Sequence, residues 1–381
     1  MTIRAHSPLA RARDVAALVG TEAAAIEAGR ALTAPVLDAL HDAGLFRTLL
    51  PRSLGGEELP PAEHVQVIEA IARADASTAW CLNQAAGCSM AAAYLAPDAA
   101  ALVWGDPRAA LAWGVGPGST ADAVPGGYLV TGAWRFASGS RHAGWLGGHC
   151  QLRQPDGGLV ERTMLFPREA AAITDIWQVM GLRGTGSDSY AVAGLFVPDA
   201  LSARRDTDAE RREAGPLYRF STTHLYAAGF GAVSLGIARA MLDAFVALAR
   251  EKTPALTARA LRDNSVVQHE VALAEARLRS ARALLLQTLH EAWNGVLAEG
   301  SLSLEHRMAI RLASTYATHQ AQGVVQVCWQ QAGASAIFEG GAFERRFRDM
   351  HAVTQQVQAR SAHFETVGEF MLGGEAGLRF V

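Results

Sequence analysis

Apolar residues recur at three- and four-residue spacing through the first hundred positions, as in ALVGTEAAAIEAGRALTAPVLDALHDAGLF, and this period predicts amphipathic helices from residue 8 to about 107. Gly44 closes one such pattern, PRSLGGEELPP reads as a loop, and Pro60-Pro61 opens a helix over PPAEHVQVIEAIARADASTAW. Near residue 109 the period changes. Short runs such as GGYLVTGAWRFAS, GGHCQLRQ and DSYAVAGLFVP predict strands and turns of a small barrel or sandwich up to about residue 203. RRDTDAERREAG follows as a charged, exposed connection. From about residue 220 the helical period returns in three patterns, each longer than about 25 residues, which suit a helical bundle. A last helix begins near Glu344. The expected architecture is mostly α within an α+β class. It has a helical unit over 1–108, a β unit over 109–205 and a helical bundle over 206–381.

Composition narrows this picture. Of 381 residues, 50% are hydrophobic and 19% charged, which allows a substantial core. The net charge of -3 gives no electrostatic reason to expect nucleic acid as a partner. No apolar run approaches the ~18 residues of a membrane span, and no apolar stretch follows the N-terminal arginines, so a cytoplasmic protein is expected. The four cysteines form no C-x-x-C, which removes a zinc or disulfide framework. There is no Walker A loop, no G-x-S-x-G elbow and no H-E-x-x-H helix. Eight tryptophans are more than a helical protein needs, and a flat aromatic ligand could use some of them.

Three segments carry candidate chemistry. In GGYLVTGAWRFASGSRHAGW, strand alternation places Tyr128, Val130, Gly132, Trp134, Phe136 and Ser138 on one face. An aromatic sandwich core explains the rings but leaves the polar ending S-G-S-R-H unexplained. In IWQVMGLRGTGSDSYAV, Gly181, Gly184 and Gly186 with Thr185 and Ser187 make a turn able to cradle an anion or a heterocycle, or a plain hairpin. In FERRFRDMHAVTQQ, the charges read as a solvated helix start. Asp349 and His351 stand two apart and do not share a helix face.

Taken together and in this order, these segments resemble the acyl-CoA dehydrogenase superfamily over nearly the whole chain. The residues Gly132, Trp134, Phe136, Ser138, Gly139, His142, Ala143 and Trp145, the run Gly181–Ser187 followed by Phe196-Val197-Pro198, and Arg348-Asp349 with His351-Ala352 are similar to the two-component (group D) flavin-dependent monooxygenases. The resemblance implies an N-terminal helical domain, a middle β domain and a C-terminal four-helix bundle, assembled as a homotetramer. It implies a flavin held by Trp134, Phe136, Ala137, Ser138 and Gly139 on one side and by Gly184, Thr185, Gly186 and Ser187 on the other.

It further implies an oxygenase component that takes reduced flavin from a separate NAD(P)H-dependent flavin reductase. That component would react the flavin with O2 to a C4a-hydroperoxide and hydroxylate a small aromatic substrate, a phenol or an indole. Ser138 would act near the flavin N5 and His351 would polarise the substrate, since imidazole titrates near ~6.5. Trp80, Asn83 and Gln84, at the end of an N-terminal helix, and His142 are candidate substrate contacts.

Two departures matter. Where many acyl-CoA dehydrogenases place a Glu base after the R-D pair, this chain has Val357, Gln358 and Ala359. The stretch ALTARALRDNSVVQ lacks the Phe-Gly that helps hold the adenine of FAD, so FMN stands beside FAD. The alternatives are an acyl-CoA dehydrogenase with FAD and a Glu base such as Glu270 or Glu275, an N-oxygenase acting on an amine, and a non-catalytic flavin-binding homologue.

Overall fold

A computed structural model describes residues 6–154, 157–205, 207–255, 258–378 and 380–381. The expectation about the N-terminal arginines therefore falls partly outside the described residues, as do Asp206 of the charged connection and Leu256 and Thr257 of the ALTARALRDNSVVQ stretch.

Five helices come first: α1 (Pro8–Gly29), α2 (Ala34–Asp42), α3 (Pro61–Ala72), α4 (Ala76–Ser89) and α5 (Pro97–Trp104). The single helix expected from residue 60 to 80 is two. Asp75 leaves the helical conformation and its carboxylate accepts from the Thr78 backbone N–H at 2.8 Å and from the Thr78 hydroxyl at 2.8 Å, starting α4 afresh. An N-cap of this kind contributes about 1 kcal/mol. It also sets the direction of α4, whose residues are all buried.

The strands are β1 (Leu111–Trp113), β2 (Thr120–Val124), β3 (Gly127–Ala137), β4 (Trp145–Arg153), β5 (Leu159–Pro167), β6 (Ala172–Thr174), β7 (Asp188–Pro198) and β8 (Ser202–Ala203). They form one mixed sheet in the order β6-β7-β3-β2-β4-β5-β8, with β1 added in parallel to β4. One face buries Trp113, Val130, Trp134, Phe166 and Tyr190 in a core shared with α5.

The long helices follow as α6 (Thr222–Glu251), α7 (Ser265–Glu299) and α8 (Leu304–Ala332). The final helix expected near Glu344 is broken into α9 (Glu344–Val353) and α10 (Ala362–Met371). Contrary to the sequence reading, α6 is long and apolar enough to cross a membrane. Most of its surface is nevertheless buried in the protein, in the core that α3, α4 and α8 also build. A central bundle helix and a membrane span share composition because both lose water on nearly every side.

Candidate active site

β3 and β7 run antiparallel, but between Trp134 and Ala137 β3 spends one residue more than its partner, since Trp134 faces Tyr190 and Ala137 faces Asp188. The extra residue is a bulge, and Phe136 takes it in the left-handed region at φ 62°. The expected single face of Trp134, Phe136 and Ser138 is thereby corrected. Trp134 is 0% exposed, stacks on Tyr190 with centroids 5.2 Å apart, and donates from Nε1 to the His149 carbonyl. The Ala137 side chain is equally sealed. The side chains of these two residues belong to the core of the sheet. Phe136 is turned outward and is 55% exposed, with Trp177 set edge-on to it at 6.2 Å. A non-glycine residue at positive φ is uncommon and costs of order 1–3 kcal/mol, so this placement is held by its surroundings.

Ser138, directly after the bulge, anchors a line of buried hydroxyls. Trp80 Nε1 donates to Ser138 Oγ at 2.9 Å; Ser138 Oγ and Ser187 Oγ lie 2.7 Å apart; Ser187 Oγ and Thr185 Oγ1 lie 2.7 Å apart; and Thr185 Oγ1 donates to the Leu182 carbonyl at 2.9 Å. Each hydroxyl has one proton. Thr185 uses its proton on the carbonyl, so Ser187 must donate to Thr185 and Ser138 to Ser187. The relay runs one way, from Trp80 to Leu182. It leaves the Ser138 oxygen with acceptor capacity to spare, which suits the N5–H of a reduced flavin better than the bare N5 of an oxidised one. An outward aromatic ring beside a part-used hydroxyl acceptor is a donor and surface set that fits a flat heterocycle.

The 182–187 turn is a single 3₁₀ turn between Leu182 and Gly186, both left-handed, rather than a hairpin tip. Its glycines serve the protein. A Cβ on Gly184 would lie 2.2 Å from Ile26 Cγ2, and one on Gly186 would lie 2.6 Å from Arg141 Cδ. Gly139 is tied to the same turn through its N–H, which donates to the Thr185 carbonyl at 2.9 Å. Arg141 forks onto Asp188 at 2.8 and 3.0 Å and locks the 139–142 segment to the start of β7.

The charges of α9 expected in solvent are partly buried. The Leu182 N–H donates to Asp349 Oδ1 at 2.6 Å. Burial, then the nearby Asp75 carboxylate, raise the Asp349 carboxyl to about 7. Arg348 pairs with Glu27 at 2.6 Å and with Glu344 at 2.7 Å. His351, on the same helix, donates from Nδ1 to the Phe347 carbonyl at 2.8 Å, and its ring packs on Phe347 at 4.1 Å. A carbonyl can only accept, so this bond fixes the proton on Nδ1 and leaves the Nε2 lone pair for another group.

The remaining expected residues divide. Asn83 and Gln84 lie inside α4 and are buried, not at a helix end. His64 Nε2 is 3.1 Å from Asn83 Oδ1, the far ring nitrogen of His64 is 3.1 Å from Thr48 Oγ1, and Asn83 Nδ2 has no partner among the described residues. Gln84 Nε2 donates to the Trp113 carbonyl at 3.4 Å. Trp80 stacks on Phe230 with centroids 3.9 Å apart. His142 makes no side-chain hydrogen bond to Ser138. Its ring packs near Phe46, 5.7 Å away, and burial lowers its pKa to about 4. Sequence reasoning missed Trp177, Phe230 and Tyr226, whose hydroxyl donates to the Gln84 carbonyl at 3.1 Å. Glu275, offered as a dehydrogenase base, is held by Arg239 at 2.5 Å and Arg279 at 2.7 Å on an outer groove that Arg13, Glu69 and Arg73 also line.

Comparison with known proteins identifies the family. Residues 9–99 match the acyl-CoA dehydrogenase N-terminal domain and residues 228–360 match the acyl-CoA dehydrogenase C-terminal domain. Indole-3-acetate monooxygenase of Pseudomonas putida is 31% identical over 90% of this chain and 88% of its own. The oxygenase subunit HsaA, a flavin-dependent monooxygenase of Rhodococcus jostii, is 30% identical over 83% of this chain and 85% of its own. The crystal structure of 3-HSA hydroxylase from a Rhodococcus species superposes with a TM-score of 0.92 at 25% identity, over 100% of both chains. Fold and site together define an enzyme of acyl-CoA dehydrogenase architecture. Within that superfamily the chain belongs to the flavin-dependent monooxygenases, as an oxygenase component that uses reduced flavin and O2.

Proposed function

We propose that this enzyme hydroxylates a small aromatic substrate, a phenol or an indole, with reduced FMN or FAD delivered by a separate NAD(P)H-dependent flavin reductase. The observation that carries the reading is the pairing of an outward Phe136 with a Ser138 oxygen whose own proton is committed to Ser187. Reduced flavin, when bound, supplies two electrons and activates O2. Phe136 and Trp177 offer it an apolar face and keep water from the reacting centre. Ser138 accepts a hydrogen bond from it, and Thr185 and Ser187 hold Ser138 in that role. His351 takes the phenol or indole N–H proton at Nε2, which makes the ring carbon more nucleophilic. Trp80, Asn83 and Gln84 line the substrate side. A homotetramer in the cytoplasm completes the proposal.

The test is to mix the protein with anaerobically reduced FMN or FAD and then with 18O2, in the presence of phenols or indoles. Incorporation of one labelled oxygen into the ring supports the reading. Hydrogen peroxide as the sole oxygen product with every arene overturns it.

A further inference from the structure

Leu182 joins the two halves of the candidate site. Its backbone is left-handed, at φ 53° and ψ 34°, and its side chain is buried in the core of the helices. A leucine seldom adopts this conformation, and one that does is held there by its surroundings. The Leu182 carbonyl accepts twice, from Trp177 Nε1 at 2.9 Å and from Thr185 Oγ1 at 2.9 Å. The first bond places the ring that stands edge-on to Phe136. The second ends the line of hydroxyls that begins at Ser138. The apolar wall and the polar acceptor therefore hang on one carbonyl.

What holds Leu182 lies on α9. Its N–H donates to Asp349 Oδ1 at 2.6 Å, a short bond of the stronger kind. Asp349 is 4% exposed, and no cation lies within ion-pair distance of it among the described residues. Arg348 beside it turns instead to Glu27 and Glu344. Two neighbouring contacts repeat the docking. Arg348 Nη1 donates to the Met180 carbonyl at 2.5 Å, and a Cβ on Gly181 would lie 2.2 Å from the Arg348 carbonyl oxygen. Over residues 180–182 the turn thus lies directly against α9, backbone to backbone at Gly181, where only glycine fits.

The same helix carries His351, two residues beyond Asp349. One short helix therefore bears the candidate base and pins the segment that carries Trp177, Thr185 and Ser187.

We propose that Asp349 is a positioning residue: by holding Leu182 in its left-handed form, it sets Trp177 and the Ser138–Ser187–Thr185 line in register with α9 and His351. The proposal rests on the oxygenase reading above for what the site binds and adds a residue that touches neither flavin nor substrate.

The experiment uses the full-length protein and two readouts. Hydrogen exchange, resolved to single amides by mass spectrometry, is measured without flavin. Binding of anaerobically reduced FMN or FAD, and product formed per flavin, are measured separately. In the parent protein the Leu182 and Gly139 amides should be protected, since the first donates to Asp349 and the second to the Thr185 carbonyl. Asp349→Leu is close in size but has no acceptor. It should speed exchange at these two amides about 10- to 100-fold and weaken reduced-flavin binding about 10-fold, the worth of a buried hydrogen bond to a charged group. Strands β4 and β5 should exchange as in the parent. Asp349→Asn keeps an acceptor and should restore both protection and binding. Gly181→Ala leaves the carboxyl intact but forces the turn off α9, and should reproduce the pattern of Asp349→Leu.

Fast exchange at Leu182 in the parent overturns the proposal, a result that needs no variant to fold. So does parental exchange and flavin affinity in Asp349→Leu. A rise spread evenly over every strand, in Asp349→Leu and Gly181→Ala alike, makes Asp349 a stability residue and overturns it too. Local loosening with weaker flavin binding supports the proposal even where no arene is hydroxylated, and in that case the aromatic substrate of the reading falls alone. Aromatic product from the parent, with Asp349→Leu unchanged in every readout, sinks the proposal and leaves the reading standing.

Discussion

The indole N–H of Trp80 donates to the Ser138 hydroxyl oxygen at 2.9 Å, joining residues 58 positions apart and two structural units. Because Ser138 must pass its own proton to Ser187, its oxygen accepts from the Trp80 indole and, on the proposed reading, would accept from a bound flavin as well. Ser138→Ala should therefore lower the fraction of reduced flavin that ends in hydroxylated product by roughly 10- to 100-fold, the cost of one lost buried hydrogen bond. Hydrogen peroxide should rise in proportion. Trp80→Phe keeps an aromatic ring to stack on Phe230 while removing the N–H, so its effect on coupling should be smaller. Unchanged product yield in Ser138→Ala would remove Ser138 from the site.

His351 presents a lone pair at Nε2 because Nδ1 is committed to the Phe347 carbonyl. His351→Ala should slow hydroxylation about 10²- to 10⁴-fold, the usual worth of a positioned base. Reaction of O2 with the reduced flavin should continue. A rapid-quench measurement of product per flavin decides the matter, and equal rates in parent and variant reject the assignment.

Trp134 and Phe136 are two positions apart and should respond oppositely. Trp134→Ala removes a fully buried ring and should destabilise the fold by about 3–5 kcal/mol. Phe136→Ala removes an outward ring and should leave stability within about 1 kcal/mol while weakening reduced-flavin binding. Denaturant titration together with flavin affinity separates the two. A core-like loss of stability in Phe136→Ala would contradict the bulge.

Asp349 links pH to stability through one hydrogen bond. Its carboxyl sits above its ordinary value, at about 7, mainly through burial and then through Asp75. A raised carboxyl keeps its proton in the fold after the unfolded chain has lost it. The contribution to stability is therefore full at low pH and declines as pH rises from about 4 to about 7, by at most about 1.4 kcal/mol per pH unit. Asp349→Asn cannot ionise and can still accept from the Leu182 N–H. Melting temperatures of parent and variant across pH 4 to 8 should converge at the acid end and separate toward neutrality, with the variant the more stable. A gap of the opposite sign or no pH dependence counts against it.

Much of this molecule is legible along the chain. The switch from a three-to-four to a two-residue period, and back, marks where helices give way to strands and return, because each period follows from one backbone geometry. Ser138, Thr185 and Ser187 stand out as polar groups in apolar or glycine-rich surroundings, whereas His351 is marked only by its place in the R-D-x-H-A run. What strict periodicity hides is the exception to it. The bulge at Phe136 needs one residue too many on β3, and only pairing with β7 reveals the excess. The break at Asp75 carries a signal in the D-x-x-T capping pattern, yet the helical run on both sides masks it. Asn83 and Gln84 read as surface because amides favour water. α6, which supplies their cover, begins about 140 residues later in the chain. Arg205, whose guanidinium lies over the Trp113 ring, and the buried Asp349 read as solvated for the same reason. Local charge density does not tell which member of a charged run turns inward.

The bond between Leu182 and Asp349 spans 167 positions of sequence. Closing it requires the chain to have been made at least as far as Asp349 and α9 to have docked on the turn, a long-range pairing of the kind that comes late in folding. A nascent or half-folded copy thus lacks the anchored turn on which the Ser138 relay depends. The turn that carries Thr185 and Ser187 is in this way tied to a helix near the other end of the chain.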